Sequence, residues 1–201
     1  MQVPQEPVTT YYFSDESSYA PKFTLDSSVT TLNEAITYFG PTSRQYITGV
    51  DIAPTVMCLG NRAFLACNRI TSIVIPESVV SIEAYAFASC GHLTTITIPN
   101  SVTSIGENAF SGCTQLTDVT IGNGVTSISR YCFDEDSELT SVNIPNSVTS
   151  IGAHAFGSCS NLTTINYGGT IEEWNAIQFE NGWNAYGSLS TIHCSDGDIE
   201  L

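Results

Sequence analysis

The sequence predicts an α/β repeat solenoid of 23-residue coils, with parallel β-strands and short helical turns, that is capped at both ends. A phenylalanine recurs at this spacing with no insertion or deletion. A fixed period of this length is typical of repeats that bury their apolar faces only by stacking on one another. The members of this column are Phe64, Phe87, Phe110, Phe133 and Phe156. Further aliphatic columns keep the same register, so we expect one continuous core along the stack.

Each coil is predicted to contain a half-buried β-strand that ends at a turn. Residues 94–98 alternate apolar and hydroxyl side chains, which is typical of a strand with one buried face. A turn is expected next, because proline cannot donate to a strand ladder. The prolines at this position are Pro76, Pro99 and Pro145. A second extended piece at residues 102–105 is predicted to lead into a short helical turn that buries Phe110.

The chain is predicted to divide into an N-terminal cap at residues 1–46, repeats at residues 47–171 and a C-terminal cap at residues 172–201. The first region lacks the repeat but contains enough apolar residues to cover the first coil. Within it, residues 31–34 match a capping box that would open a short helix, which Gly40 would close.

Aromatic residues are concentrated in the predicted C-terminal cap, where Trp174, Phe179 and Trp183 lie within ten positions of one another. Two interpretations are open for them. They form either the core of the cap or a platform on which a sugar could stack.

The repeat unit resembles the leucine-rich repeat of BspA-like proteins, also called the Treponema pallidum type. Residues 93–113 carry the pattern most fully, LTTITIPNSVTSIGENAFSGC, and the resemblance extends over roughly residues 47–171. It implies a leucine-rich repeat stack in a bacterial or protist protein that is secreted or exposed at the cell surface. It also implies a role in adhesion or partner binding without known catalysis. The segment from residue 167 onward is similar to the C-terminal cap of many gut-bacterial members, which implies that Trp174, Phe179 and Trp183 form the cap core rather than a sugar-stacking platform.

The charge balance argues against two classes of partner. The chain contains five basic and 20 acidic residues, which gives a formal net charge of -15. Such a field repels phosphate backbones and anionic lipid surfaces, so neither nucleic-acid binding nor attraction to a membrane surface is expected. Membrane insertion is not expected either, since no apolar run approaches the ~20 residues that span a bilayer.

The N-terminus bears on location. Residues 1–7 have neither a basic region nor an apolar region of the kind found in signal peptides. Two explanations are open: a leader was removed, or the protein is not exported by that route. A phage virion component would fit the second explanation.

The seven cysteines are mostly explained by the repeat. One column contains Cys67, Cys90, Cys113 and Cys159, with Asp136 at the same phase in the remaining coil. We interpret this column as a structural ladder, because zinc needs four ligands that converge on one point. Parallel side chains in a ladder also disfavour disulfides, and the odd number leaves at least one thiol free. Cys132 replaces an alanine and is expected to fill space in the core.

No catalytic constellation is visible, and no cofactor or metal is expected. His92, His154 and His193 lie at unrelated phases of the repeat, and the common hydrolase, metalloprotease and nucleotide-binding motifs are missing. The acidic residues 134–138 could hold calcium through clustered oxygens, but a solvated loop is the favoured interpretation because the spacing does not match a known calcium loop.

Four of the predicted binding residues lie in a column that varies between coils, two positions before a phenylalanine, and Arg130 lies in the neighbouring column, which varies too. Varying positions on an exposed face supply recognition in repeat proteins, and aromatic and arginine side chains are enriched at binding hot spots. The candidates are Tyr85, Asn108, Arg130, Tyr131 and His154. The alternative is that this column merely tolerates variation, in which case the row of polar side chains through Thr95, Asp118 and Ser141 is the next candidate.

Together these observations predict a non-catalytic surface or secreted protein that presents a repeat-built face to a protein or glycan partner. The alternative is a structural or receptor-binding component of a phage virion. An enzyme is the least favoured class.

Overall fold

Sixteen short strands and one helix are present in the part of the chain that the computed structural model describes, residues 8–14, 22–25, 28–32 and 43–201. A 3-10 turn at Ser43–Tyr46 precedes the first full coil. The elements are β1 (Thr10–Phe13), β2 (Lys22–Thr24), β3 (Thr31–Leu32), β4 (Ile47–Asp51), β5 (Cys58–Leu59), β6 (Ser81–Ile82), β7 (Thr95–Ile98), β8 (Ser104–Ile105), β9 (Asp118–Ile121), β10 (Ser127–Ile128), β11 (Ser141–Ile144), β12 (Ser150–Ile151), β13 (Thr164–Tyr167), α1 (Ile171–Asn175), β14 (Gln178–Phe179), β15 (Thr191–Cys194) and β16 (Gly197–Glu200).

The longer strands form one face of the solenoid. Strands β7, β9, β11, β13 and β15 are parallel and in register, and β16 pairs antiparallel with β15 at the edge of this sheet. Along each strand, buried aliphatic side chains alternate with more exposed polar ones. The predicted repeat solenoid with parallel strands is therefore confirmed.

The two-residue strands form a second face, which is divided into two ladders. One ladder has the order β3-β5-β6-β8 and the other has the order β10-β12-β14, all with parallel pairing. Between β8 and β10, the Ser129 hydroxyl donates to Ile105 O at 2.6 Å. In the coils on either side, the main-chain amides of Gly106 and Gly152 make the corresponding bonds to Ile82 O and Ile128 O.

The third side of each coil is an arc of turns, so the prediction of a short helical turn there is wrong. In the central coils, alternate amides in this arc donate to carbonyls of the next coil, as Phe87 N does to Ala109 O at 2.7 Å. Tyr85 and Ser89 adopt left-handed backbone conformations with φ of 59° and 58°. These bonds between coils take the amides that a helix would bond within one coil. The helix α1 lies in the C-terminal region, where Thr170 and Glu173 form its capping box.

The phenylalanine column confirms the predicted core. All five rings are fully buried, and their centroids lie 5.1 to 5.4 Å from one another along the stack. The ring planes of the last four are within 7° of parallel. Each of the three inner rings therefore contacts the phenylalanine of the coil before it and that of the coil after it.

One coil departs from the predicted strand pattern. Residues 71–75 alternate like a strand, with Ile73 and Ile75 buried and Val74 82% exposed, but they form no strand. Thr71 O accepts a bond from Thr94 N at 3.1 Å, and no main-chain bond between described residues involves residues 72–75. On the N-terminal side, β4 pairs antiparallel with β1, which in turn pairs with β2. No strand among the described residues pairs in parallel with β4 or with residues 71–75, so the long sheet begins at β7.

At the C-terminal end, a longer coil completes the stack. Strand β14 pairs with β12, strand β15 pairs with β13, and the Trp183 carbonyl accepts a bond from Phe156 N at 2.7 Å. Trp174 is buried, and Phe179 and Trp183 are partly buried against the core, which agrees with their interpretation as cap core. The predicted region boundaries at residues 46 and 171 stay predictions.

The helix predicted near the N-terminus falls largely outside the described residues. Residues 33–40 are not described, whereas Thr31–Leu32 forms β3 and pairs with β5 in a parallel ladder. The described part of the chain contains no helix that is long and apolar enough to span a bilayer.

Gly124 is expected to resist replacement by serine, although serine occupies the same position in other coils. Ser78 and Ser147 donate to Val56 O and Val125 O, both at 2.7 Å. A Cβ at Gly124 would lie 2.3 Å from Asn100 O and 2.5 Å from Val102 O. Because both atoms are main-chain oxygens, Gly124→Ser should destabilise the protein by about 1 to 3 kcal/mol in urea unfolding.

The exposed neighbour Asn123 supplies a control for this substitution. Asn123→Ala should shift the free energy of unfolding by no more than about 0.5 kcal/mol. A Gly124→Ser protein as stable as wild type would show that the coils do not approach as closely as described.

Candidate functional site

The predicted variable column lies on the arc of turns, and every member has a left-handed backbone. The φ angles of Tyr85, Asn108, Tyr131 and His154 are between 54° and 59°, and Arg62 extends the column one coil earlier with φ of 58°. Asparagine tolerates this conformation well, whereas it costs other side chains roughly 1 kcal/mol or more. Each of these amides donates to a carbonyl of the next coil, which holds the conformation in place.

The side chains of this column are partly exposed and contact one another across coils. The Tyr131 and His154 rings stack with centroids 5.2 Å apart and planes 8° from parallel. The Arg62 guanidinium lies over the Tyr85 ring, 5.5 Å from its centroid. Tyr85 and Tyr131 are 38% and 39% exposed. We call Arg62, Tyr85, Asn108, Tyr131 and His154 the turn column. It presents two ring-containing pairs with Asn108 between them.

Arg130, the remaining predicted site residue, is engaged by a residue that sequence reasoning missed. Its Nε and Nη2 donate to the two carboxylate oxygens of Glu180 at 2.7 and 3.0 Å. Glu180 Oε2 also accepts a bond from Ala153 N at 3.0 Å. The hydrogen bonds to Glu180 raise the pKa of Arg130, and those from Arg130 lower the pKa of the Glu180 carboxyl. Arg130 therefore joins its coil to the last coil.

On the long sheet, hydrogen bonds link members of a second polar row, which lies two positions after the predicted row through Thr95, Asp118 and Ser141. Asn143 Nδ2 donates to Thr120 Oγ1 at 3.3 Å, and Asn166 Nδ2 donates to Asn143 Oδ1 at 3.0 Å. Thr95 at the edge of this sheet is exposed, whereas Asp118 and Ser141 are half-buried. These amide and hydroxyl bonds support the sheet, so fewer polar groups remain for a partner on this face.

The cysteine column has a structural role in the described coils. Cys90, Cys113 and Cys159 donate their thiols to main-chain carbonyls of the preceding coil, at 3.0 to 3.3 Å. Burial raises the pKa of the Cys90 thiol to about 12, and it raises those of Cys113 and Cys159 as well. Thiols that stay protonated and donate a hydrogen bond are not thiolate ligands or nucleophiles. All seven cysteines are free.

Asp136 takes the place of a cysteine in this column and is fully buried. Its Oδ1 accepts a bond from Cys113 N at 2.7 Å, whereas its Oδ2 has no hydrogen-bond partner among the described residues. Burial raises the pKa of this carboxyl well above its usual range. The sequence offered a signal for this site, because Asp136 is the one acidic residue in a column of thiols.

The other acidic and histidine residues do not assemble into a shared site. Among the described residues, no group of three or more His, Cys, Asp or Glu side chains is arranged to hold a metal ion. Burial raises the pKa of the half-buried Asp134 carboxyl. His92 Nδ1 contacts Asn68 O, and His193 Nδ1 lies 2.7 Å from Asp198 Oδ1. These histidines lie in different coils from His154.

Comparisons with known proteins agree with this architecture. The model of the BspA type leucine rich repeat region matches residues 57–185 in six copies. A leucine-rich repeat protein from Eubacterium ventriosum is 21% identical with a TM-score of 0.60, and the match covers 74% of this chain and 46% of that one. The Treponema pallidum leucine-rich repeat protein is 28% identical with a TM-score of 0.52, over 56% of this chain and 52% of that one.

A leucine rich cell surface protein from Faecalibacterium prausnitzii is 22% identical with a TM-score of 0.38, over 65% of this chain and 62% of that one. The chain spans about half the length of the E. ventriosum and T. pallidum structures. No curated protein matches the chain.

Proposed function

Since the chain belongs to the BspA type leucine-rich repeat family, whose model matches residues 57–185, we propose that it is a non-catalytic binding and adhesion protein. Its place is at the cell surface or in the secreted fraction, and its partner is a protein or a glycan. The partner contacts side chains that the coils present at regular intervals.

The observation that carries this proposal is the left-handed backbone of the turn column. Tyrosine, arginine and histidine gain nothing for the fold from φ angles of 54° to 59°, because asparagine or glycine would fit the same backbone with less strain. Three of the five coils nonetheless hold a ring at this position, Tyr85, Tyr131 and His154, and Arg62 adds a guanidinium in a fourth. A rigid row of partly exposed rings lowers the entropy lost on binding, and such rings are common at interface hot spots.

The net charge indicates which protein surfaces this face would accept. At -15, the protein attracts basic surfaces and repels acidic ones over distances of about one Debye length. A protein partner is therefore expected to present lysine or arginine around the patch that meets the turn column, and its association should slow as salt is raised.

A variant that keeps the fold but removes the rings tests the proposal. Tyr85→Asn, Tyr131→Asn and His154→Asn combined would give three more coils the residue that Asn108 supplies at this position. Because asparagine suits the left-handed backbone, the thermal midpoint should be equal to or higher than that of wild type. Retention on immobilised partner proteins and glycans should fall, with more than about 1 kcal/mol lost for each anchoring ring.

The control lies on the other face of the stack. Thr95→Ala and Thr97→Ala combined remove exposed hydroxyls from β7 and should leave retention unchanged if the turn column is the contact surface. Equal retention by wild type and the asparagine variant, with loss in the threonine variant, would move the binding surface to the long sheet.

The proposed location has its own measurement. Intact producing cells are treated with protease, and the protein is followed in the cell, the medium and purified particles. Digestion on intact cells or recovery from the medium is expected. Recovery only in phage particles would replace this location with the virion.

A further inference from the structure

A cavity of about 540 Å³ opens on the face of the two-residue strands, above β10, β12 and β14. Its floor contains Ile128 and Ile151, which are buried. Ser127, Ser150 and Gln178 occupy matching positions on the three paired strands, so their side chains form a row along the opening.

A glycine, Gly152, is among the residues that line the cavity. A Cβ at Gly152 would be 2.6 Å from Arg130 N, which is a main-chain atom of the preceding coil. Side chains are therefore excluded at this position by the packing of the coils. Gly152 therefore contributes only main-chain atoms to the lining of the cavity.

The wall of the cavity is an ion pair that the fold holds in place. Arg130 and Glu180 are joined by two hydrogen bonds, and Glu180 is further fixed by Ala153 N. On the other side of this pair lies a second depression of about 550 Å³, which also contacts Phe179. The two depressions form a groove that the Arg130–Glu180 pair divides into two subsites.

Four polar side chains in the cavity are not used by the fold. No hydrogen bond between described residues engages the side chains of Glu107, Ser127, Ser150 or Gln178, although all four line the cavity. They offer one carboxylate, two hydroxyls and one amide. The Phe179 ring packs in part against the cap core, and the part that stays exposed supplies an apolar surface beside them.

We propose that this groove binds a short neutral glycan. A sugar ring has an apolar C–H face and an edge of hydroxyls, which suits an aromatic ring beside carboxylate, amide and hydroxyl groups. The site is poorly suited to a phosphate or another anion, because its one guanidinium already bonds Glu180 and Glu107 adds a further negative charge. This inference rests on the proposed binding function and assigns one ligand class to a surface distinct from the turn column.

The first experiment presents the protein to an array of neutral, amino-containing and anionic oligosaccharides, followed by titration of a retained neutral glycan by NMR. Two variants alter the cavity and leave the core intact. Ser127→Tyr fills the groove from an exposed strand position, and Glu107→Gln removes the charge at constant size. Each is expected to weaken binding at least about tenfold. Ser127→Tyr does so because the new ring blocks the groove, and Glu107→Gln does so because a hydrogen bond to a charged group is lost.

The control separates this inference from the proposed function. Tyr85→Asn alters the turn column and tests whether the glycan binds there instead, whereas Thr97→Ala on β7 lies outside both surfaces and should leave affinity for the neutral glycan unchanged. Loss of glycan binding in Tyr85→Asn but not in the cavity variants would overturn the inference and leave the proposed function standing. Retention of anionic glycans only, or of no neutral glycan, would also overturn it, whatever protein partner the turn column binds.

Discussion

Replacing Phe110 by alanine is expected to lower the free energy of unfolding by about 3 to 5 kcal/mol, the range for loss of a buried aromatic ring. The ring is fully buried and stacks between Phe87 and Phe133, with centroid distances of 5.1 and 5.3 Å. Alanine would leave a cavity that the two neighbouring rings cannot fill, because each is held by its own coil. Urea unfolding followed by circular dichroism measures the effect.

In Phe110→Ala, hydrogen exchange should show the largest loss of amide protection in the flanking coils. Repeats couple mainly to their neighbours, so amides in the coils of Phe87 and Phe133 should lose more protection than those near β15. Thr97→Ala on the exposed face of β7 is the control and should change stability by about 0.5 kcal/mol or less. A loss below about 1 kcal/mol for Phe110→Ala would contradict the described core.

Replacing Asp136 by asparagine is expected to stabilise the protein at neutral pH by about 1 to 3 kcal/mol, the cost of a buried polar group without a partner. Asparagine keeps an acceptor for Cys113 N, which bonds Asp136 Oδ1 at 2.7 Å. It also replaces Oδ2, which has no partner among the described residues, with a donor. In this column each bonded thiol donates to the main-chain carbonyl of the phenylalanine 26 positions earlier. For residue 136 the corresponding acceptor for the asparagine amide is Phe110 O.

The stabilisation should depend on pH. Burial is the main cause of the raised Asp136 pKa, the charges of Asp134 and Glu135 add to it, and hydrogen bonds from the Cys113 and Gly112 amides oppose it. A pKa raised in the folded state means that the native protein binds the proton more tightly. The buried Asp136 carboxyl therefore lowers the free energy of unfolding least below its unfolded pKa of about 3.9. The wild type loses stability as the pH rises from there toward the folded pKa.

The difference between the two proteins isolates this residue. The stability advantage of Asp136→Asn should grow from about pH 4 upward, by up to about 1.4 kcal/mol for each pH unit, and level off above the folded pKa. Glu138→Gln removes one negative charge from an exposed position in the same coil and should show no such growth. An advantage for Asp136→Asn that stays constant from pH 4 to 8 would contradict a raised pKa.

The sequence predicted the features that depend on the repeat period. The phenylalanine, aliphatic and cysteine columns are buried where the period places them, because a side chain at a fixed phase meets the same surroundings in every coil. The long strands were predictable for the same reason, since their alternation is local. The turn column was also found from sequence, although its extension to Arg62 was not.

The arc of turns was predicted wrongly because its hydrogen bonds are not local. A segment such as residues 107–112 has no proline and could form a helical turn alone, but Phe110 N donates to Cys132 O of the next coil. The left-handed angles at Asn108 and Gly112 follow from those bonds. Local propensity therefore gave the wrong conformation, because carbonyls more than twenty positions away determine it.

The Arg130–Glu180 pair was missed because the period changes at the C-terminal end. Ser127 pairs with Ser150 at the 23-residue spacing, whereas Ser150 pairs with Gln178, 28 positions later. The helix α1 lies within this longer interval. Extrapolation of the repeat therefore misplaces Glu180, and both the pair and the groove beside it became visible only in the structure.

The hydrogen bonds between coils also have a consequence for how fast the chain folds. Most of them join residues that are 22 to 27 positions apart in the sequence. Nearly every new coil therefore closes a loop of about the same length, and the entropic cost of closing it is similar. Each docking event also gains a similar stacked ring and a similar set of bonds. No single interface is favoured as a nucleus by loop length. Folding is therefore expected to start at whichever pair of coils docks first and to spread in both directions, so a slow coil delays only the coils beyond it.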